Sequence, residues 1–514
     1  MATSTESIWA TETHTPATGS LGADVTCDVC IVGAGMAGLT LAYELSHTGR
    51  NIVVLDAQPH TARGESAHTS AHLSDFIDDG FDHVRSTRGE EAVRLAYESH
   101  RDAITRIETI ARVESIDCGF LRVDGYLVPG ADEKGTAIDD EERVCRAAGI
   151  PVERGSGTIP GTGYAADRFL KFPNQAQFQP LAYLAGLAKV CRNRGVFLFT
   201  ETRVVQASNG RPHELLLQNG FKVKAASVVL ATNTPLNGGL RVNMRLAAYT
   251  TYVLAAELPA GAVRPGLVWD TEDPYHYVRT QRQKDGSEWL IVGGEDHKTG
   301  QADDQTERWG RLEHWMRRKF PMAGAVRYRW DGQVFETPDG LGLIGADPEG
   351  GEGSFIATGD SGMGLTHSTI AGMMLADLIA GKDHKWRDLY SPSRLPLMAA
   401  RTLLGENLNM VGQMTDWVTP GESSPKGGLA PGCGAVVRRG LGKVATYANA
   451  EGEVCELSAV CPHMGGIVHW NAADSTWDCP LHGSRFAADG QLIHGPATKD
   501  LRPIAEAAPT PATT

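Results

Sequence analysis

No run of eighteen apolar residues occurs anywhere in this 514-residue chain, so a membrane-spanning helix is not expected. The opening Met1-Ala-Thr-Ser-Thr-Glu-Ser-Ile-Trp9 lacks a charged n-region, an apolar h-region and a twin arginine, which argues against a secretory leader. Basic residues are the minority charge: 48 Lys and Arg stand against 62 Asp and Glu, for a formal net charge of −14. With no contiguous basic run, neither nucleic acid nor an anionic membrane is expected as a partner. Cysteine is sparse, nine residues in all, so no disulfide framework is expected and the thiols should be reduced, buried or metal-bound. These absences leave a cytoplasmic protein as the expectation.

Glycine is abundant, at 59 residues, as fits loops that cradle phosphates or clusters. The length suggests two to four domains, and no internal repeat is visible. Residues 1–25, rich in Thr, Ser and Ala, read as an arm that wraps a domain or is disordered. The periodicity from 26 to 385 predicts helices over Glu90–Val113, Pro180–Arg194 and Ser368–Ile379. It predicts strands over Val196–Thr200, Val228–Ala231, Leu267–Trp269, His276–Thr280, Trp289–Gly293 and Ser354–Thr358. Residues 386–426 read as an amphipathic helix near Pro396–Gln413 followed by a Pro/Gly/Ser-rich linker. Short strands between turn signals then mark a small all-β domain over 427–505, and 506–514 read as a disordered tail.

Two loops carry the sharpest chemical signal. Cys461-Pro-His463 and Cys479-Pro-Leu-His482-Gly-Ser484 each offer one thiolate and one imidazole, with fifteen residues between His463 and Cys479. A [2Fe–2S] cluster of the Rieske kind needs two thiolates on one iron and two neutral imidazoles on the other. Two Cys and two His are also a zinc set, but zinc fingers keep their histidines together on a helix. Pairing each Cys with its own His in a β context favours the cluster.

The sequence from Gly427 to Pro503 resembles the Rieske domain family. Gly432-Cys-Gly-Ala-Val-Val437, Ser458-Ala-Val-Cys-Pro-His-Met-Gly-Gly466, Val468-His-Trp-Asn471 and Gly483-Ser-Arg-Phe-Ala-Ala-Asp-Gly490 carry the likeness. Gly466 and Leu481 stand where respiratory and photosynthetic members place a disulfide, and Phe486 stands where high-potential members place a tyrosine. Ser484 remains as a donor to sulfur, so a potential in the middle to lower part of the ~−150 to +300 mV range is expected.

Near the N-terminus, Asp28-Val-Cys-Ile-Val32 reads as a strand, Gly33-Ala-Gly35-Met-Ala-Gly38 as a turn, Leu39–His47 as a helix and Asn51–Leu55 as a second strand. Asp56 ends that strand. In this β–α–β context the three glycines suit a dinucleotide pyrophosphate, and Asp56 suits its ribose hydroxyls. Cys27-x-x-Cys30 looks like a redox pair, but residues three apart on a strand take opposite faces, so both read as core thiols.

Further along come Val228-Val-Leu-Ala-Thr-Asn233, Thr337-Pro-Asp-Gly-Leu-Gly-Leu-Ile-Gly345 and a second Gly-rich strand–helix turn, Phe355-Ile-Ala-Thr-Gly-Asp-Ser-Gly-Met-Gly-Leu-Thr366. With these, the first 380 or so residues resemble the FAD-dependent amine and amino-acid oxidoreductases of the D-amino-acid oxidase, glycine oxidase and sarcosine oxidase family. The resemblance implies an α/β architecture in which a Rossmann-type FAD-binding domain (about 26–80, 175–240 and 335–385) is interleaved with an antiparallel-sheet substrate domain (about 81–174 and 241–334). It implies FAD contacts at Gly33, Gly35, Met36, Ala37, Gly38, Asp56, Ala57, His68, Ser70, His72, Val204, Ala231 and Thr232. Gly359, Asp360, Gly362, Met363, Gly364, Leu365 and Thr366 complete that set at the second turn. His68 falls where some relatives carry a histidyl–FAD bond, so a covalent link and non-covalent packing both stay open. The cysteine that anchors FAD in other relatives would fall near Gly332.

On a strand, Tyr275, Tyr277 and Arg279 share one face, where two phenols and a guanidinium would bind a substrate carboxylate; an exposed face of aromatic pairs is the plainer alternative. His297 is a candidate base or a structural hydrogen-bonding group, and Gln333 and Glu336 are further candidates for the pocket. The expected activity is oxidation of a C–N bond in a small amine or amino acid, with electrons leaving through the cluster to a one-electron acceptor. Two rivals stand beside it: an oxidase that reduces oxygen directly and uses the Rieske domain as a sensing or structural module, and a Rieske-linked oxygenase. The oxygenase needs a mononuclear iron on two His and a carboxylate, for which His68, His72 and Asp75 are spaced suggestively. A homo-oligomer stays open.

Overall fold

The computed structural model describes residues 5–130, 136–236, 239–394, 409, 413–417, 428–440 and 442–504. The expected helix near Pro396–Gln413, the linker and the C-terminal tail lie almost wholly outside the described residues. No described helix is long and apolar enough to cross a membrane.

Three bodies of sheet organise the chain. The first has eight strands with a parallel core, in which Ser354–Thr358, Lys222–Asn233, Val25–Val32, Ile52–Leu55 and Phe197–Phe199 lie side by side. Such a sheet is covered on both faces, so its strands are nearly all apolar: Val29, Cys30, Ile31, Val53, Val54 and Leu55 are buried. The helices Met36–Leu45 and Gly364–Ile379 pack over it and approach so closely that a Cβ on Gly372 would lie 2.5 Å from Thr40 Cγ2. Cys27 and Cys30 are both buried but share one apolar cluster, so strict alternation does not hold across the exposed Asp28.

The second body is a nine-stranded, mostly antiparallel sheet running from Val326–Glu336 through Ala247–Leu258, Glu288–Lys298, His276–Arg282 and Leu267–Asp270 to Leu121–Val128, Ala165–Gln177 and His72–Leu73. Against it lies the helix Gln305–Lys319, while Glu90–Val113, with two glutamates in its first turn and a buried stripe through Val93, Ala96, His100, Ala103, Ile104, Ile107 and Ile110, packs on Gly364–Ile379 and Phe81–Arg88. The N-terminal segment is packed in rather than loose. Ser7 caps the short helix Ile8–Glu12, Trp9 is fully buried, and its indole donates to the Thr69 carbonyl at 2.7 Å. The expected α/β fold with an interleaved antiparallel sheet is therefore what the chain adopts.

The third body is small and all-β: one three-stranded sheet (Gly434–Arg439, Gly442–Ala448, Val454–Ser458) and one four-stranded sheet (His469–Asn471, Thr476–Asp478, Arg485–Ala487, Leu492–His494). It is pressed onto the larger unit. Arg485 reaches Asp331 at 2.7 Å, Gln333 donates to the Gly483 carbonyl at 2.7 Å, and Arg203 donates to the Leu492 carbonyl at 3.1 Å.

Candidate active site and cluster site

The turn after Val25–Val32 is built for close approach. Gly33 has φ 107°, and a Cβ there would fall 2.3 Å from the Ala231 carbonyl oxygen; a Cβ on Gly38 would fall 1.9 Å from the Gly33 oxygen. The helix that begins at Met36 has no side-chain cap at Gly35; its Met36 N–H donates to Ser66 Oγ at 3.0 Å, and the next N–H groups of the first turn are left for an anion. Asp56 accepts from the Ala34 N–H at 2.6 Å and the Gln58 N–H at 2.8 Å, while burial lifts its carboxyl above the ordinary range.

These groups line one cavity of about 330 Å³. All the expected dinucleotide contacts line it except Gly38, Gly359 and Thr366. Gly38 serves helix–strand packing, and the Thr366 hydroxyl donates to the Met363 carbonyl and meets His100 Nδ1 at 2.7 Å. His68 lies in the wall with Nδ1 donating to the Asp331 carbonyl at 2.7 Å, which leaves its Nε2 as the free nitrogen. Close packing of glycines, a helix start and a buried carboxylate on one cavity fit a bound FAD.

Tyr275 and Tyr277 line the same cavity. Arg279 does not, and this corrects the expected carboxylate clamp. Its guanidinium is buried, donates to the carbonyls of Ala71 at 2.6 Å and Phe178 at 3.1 Å, bonds Gln281, and lies 5.4 Å from the Trp9 ring. His297 is also outside the cavity wall, stacked 5.8 Å from Tyr252, with burial and then Arg308 holding its imidazole down near 4. Gln333 does line the cavity, whereas Glu336 does not. Reading the sequence missed Asp78, which accepts from the Tyr275 hydroxyl at 3.0 Å, and the neighbouring Thr251, Phe76 and Trp269. It also missed the C-terminal contribution: Ile493, His494, Gly495, Ala497 and Thr498, all from the small β domain, form part of the wall.

His68, His72 and Asp75 do not converge as ligands. Among the described residues the three-ligand group is Asp270, Glu272 and His276, outside the cavity wall.

The second site is in the small domain. Cys461 and Cys479 are each 2 % exposed and lie within hydrogen-bonding reach of one another, a contact that holds the Cys461 thiol below its ordinary value. The His463 and His482 rings are 5.0 Å apart, and burial brings both imidazoles down to about 4, so both are neutral near pH 7. His463 Nε2 meets the Asn243 amide at 3.3 Å, leaving Nδ1 for a metal, and His482 Nδ1 is buried without a hydrogen-bond partner. A Cβ on Gly466 would fall 2.7 Å from Leu481 Cγ, so the two loops touch at the pair that lacks the disulfide. Two sulfurs and two free Nδ1 atoms converging here fit a [2Fe–2S] cluster.

Residues 28–378 match the FAD dependent oxidoreductase family, and residues 426–505 match the Rieske [2Fe-2S] domain. The chain belongs to the FAD dependent oxidoreductase family. It carries a Rieske domain at its C-terminal side, and its cofactors are FAD and a Rieske cluster. One relative shares both parts: the Bacillus subtilis protein named as Rieske 2Fe-2S iron-sulfur protein YhfW is 28% identical over 509 residues, 97% of each chain. Gamma-glutamylputrescine oxidoreductase of Escherichia coli is 24% identical over 397 residues, 75% of this chain and 91% of its own. Among solved structures, glycine oxidase from Geobacillus kaustophilus superposes with a TM-score of 0.60 at 22% identity, covering 72% of this chain and 99% of that one, a likeness of fold.

Proposed function

We propose that this oxidoreductase dehydrogenates a C–N bond in a small amine or amino acid and that the electrons leave singly through the cluster to a one-electron acceptor. When bound, FAD accepts a hydride, two electrons at once, and a Rieske cluster carries one. Tyr275, Tyr277 and Asp78 would position the substrate, and Gly33, Gly35, Asp56 and the helix starts at Met36 and Gly364 would hold the dinucleotide. Cys461, His463, Cys479 and His482 would hold the irons. The relatives named above, an oxidoreductase of gamma-glutamylputrescine and a fold neighbour that oxidises glycine, support the C–N assignment.

The observation that carries the electron-transfer reading is the shared wall. Gln333 both lines the FAD cavity and donates to the carbonyl of Gly483, the residue after His482. Asn243, ten residues after the cavity residue Asn233, touches His463 directly. A single side chain, Gln333, thus reaches from the FAD cavity to the loop that follows His482, which supports the electron-transfer reading. Anaerobic addition of substrate to holoenzyme should bleach the flavin and then raise the EPR signal of a reduced Rieske cluster. A cluster that stays oxidised through many turnovers with oxygen would assign the oxygen-reducing alternative instead.

A further inference from the structure

The part of the cavity beyond the dinucleotide walls is acidic and aromatic. Asp78 is wedged at the second glycine turn, where a Cβ on Gly362 would fall 2.0 Å from its Oδ2, and that same oxygen accepts from Tyr275. Behind this wall, Asp296 sits beside the lining residues Thr251 and Tyr275, with Oδ1 shielded from solvent and lacking a hydrogen-bond partner. Around them stand Phe76, Trp269, Tyr275 and Tyr277, and the two tyrosine rings are 5.7 Å apart. Aromatic faces beside a carboxylate favour a cation. Among the described residues, the cavity wall contains one guanidinium and no lysine. That guanidinium, Arg203, belongs to the other end: it lies near Asp56 and donates to the Leu492 carbonyl. Arg279, the residue that could have received a carboxylate, spends its donors on Ala71, Phe178 and Gln281.

A substrate carboxylate would therefore enter a low-dielectric space beside two acids with no cation to receive it, an arrangement that rejects anions. We propose that the substrate is an alkylammonium cation bearing no carboxylate on the carbon attached to its nitrogen, bound by Asp78 between the rings of Trp269, Tyr275 and Tyr277, with Asp296 adding negative charge from behind Thr251 and Tyr275. The proposal rests on the C–N oxidation reading above and narrows it. Without a cation, burial first, and then Asp79, push the Asp78 carboxyl up to about 8, and burial pushes Asp296 up to about 7. An arriving ammonium supplies the charge that lets these groups ionise.

Matched pairs test it. Under anaerobic conditions the holoenzyme is mixed with methylamine, n-butylamine or 1,4-diaminobutane, and with the corresponding α-amino acids glycine, norvaline and ornithine in both hands. At least one amine should reduce the flavin, and its second-order rate constant should exceed that of its carboxylated partner by a factor of about 100 or more. An amino acid that reduces the flavin as fast as its amine would overturn the proposal and leave the C–N reading standing. If no compound reduces the flavin, the C–N reading falls. Binding then decides the site chemistry: butylammonium should perturb the flavin spectrum at concentrations where butyrate does not, and the reverse order would sink the proposal. Asp78→Asn should retain flavin and raise KM for the amine tens of fold. Unchanged KM in a flavin-replete variant would likewise count against it.

Discussion

Replacing Arg485 by Met tests how the two units are held together. The side chain is 7% exposed and its three nitrogens reach Asp331 at 2.7 Å, Asp474 at 2.8 Å and Asp478 at 3.2 Å. Asp331 belongs to the strand Val326–Glu336 of the flavin unit, and the other two acids to the small domain. Burial and then Asp331 push Asp474 up to about 8, so it holds a proton at neutral pH; Asp331, with Arg485 beside it, stays ionised and below the ordinary carboxylate range. Removing the guanidinium strands the Asp331 charge in the interface, which costs about 3–5 kcal/mol, or roughly 10²–10⁴ in the equilibrium that keeps the domains together. Urea unfolding read by cluster absorbance and by flavin fluorescence should show both transitions moving to lower urea, because Ile493–Thr498 wall the FAD cavity. The penalty should shrink from pH 8 to pH 5, as Asp331 regains a proton. Asp331→Asn in the same chain should return most of the loss in a double-mutant cycle. A loss below about 1 kcal/mol, or one that is the same at both pH values, would refute the assignment of Arg485 as the interdomain clamp.

Gly33→Ala forces a Cβ to 2.3 Å from the Ala231 oxygen at φ 107°, so the purified variant should lose flavin, read as the 450 nm to 280 nm absorbance ratio, with about 1–3 kcal/mol of backbone strain. Gln333→Leu leaves the Gly483 carbonyl unpaired at a cost of about 1–3 kcal/mol and should slow cluster reduction after flavin reduction, seen by rapid-freeze EPR. Cys461→Ser should abolish the cluster EPR signal and iron content while flavin stays bound, since Cys461 does not line the FAD cavity. Asp78, raised to about 8 when folded, binds a proton that the unfolded chain releases near 4, so its contribution to stability falls as pH rises through 8. Asp78→Asn should accordingly flatten the decline of stability between pH 5 and 8 by up to about 1.4 kcal/mol per pH unit in denaturant titrations.

What could be read from the sequence was the chemistry that a few adjacent residues complete by themselves. A glycine turn between a strand and a helix, an acid at the next strand end, and a Cys–His pair in each of two loops are local devices: Gly33, Gly35 and Asp56 line the cavity, and the His463 and His482 rings lie 5.0 Å apart. Arg279 shows where such reading stops. It shares strand parity with Tyr277, but it lies two residues, roughly 7 Å, further along, which carries it out of the cavity and under Trp9. Parity assigns a face and says nothing of depth. His297, open as a base or a structural group, lies just past an irregularity that periodicity does not show: Glu295 has φ 60° and the pairing of Ala247–Leu258 with Glu288–Lys298 shifts register between Thr250 and Tyr252. Asp78 sits in an irregular segment between Leu73 and Phe81, where no periodicity points to it.

The docking of the small domain was beyond such reading because its contacts join residues 150 or more positions apart, such as Gln333 with Gly483, Asn243 with His463 and Arg203 with Leu492. It changes how the rival readings can be separated. If the Rieske domain were a detachable sensor, deleting everything after Ser423 would leave a complete oxidase. In this fold the deletion removes His494, Gly495, Ala497 and Thr498 from the FAD wall and exposes Asp331 without its arginine. A dead truncation is then expected whether electrons pass through the cluster or not. Only changes that remove the irons and keep the wall, at Cys461 or Cys479, distinguish a wire from a buttress. Full oxygen consumption with an undiminished flavin content in such a variant would assign the domain a purely structural part.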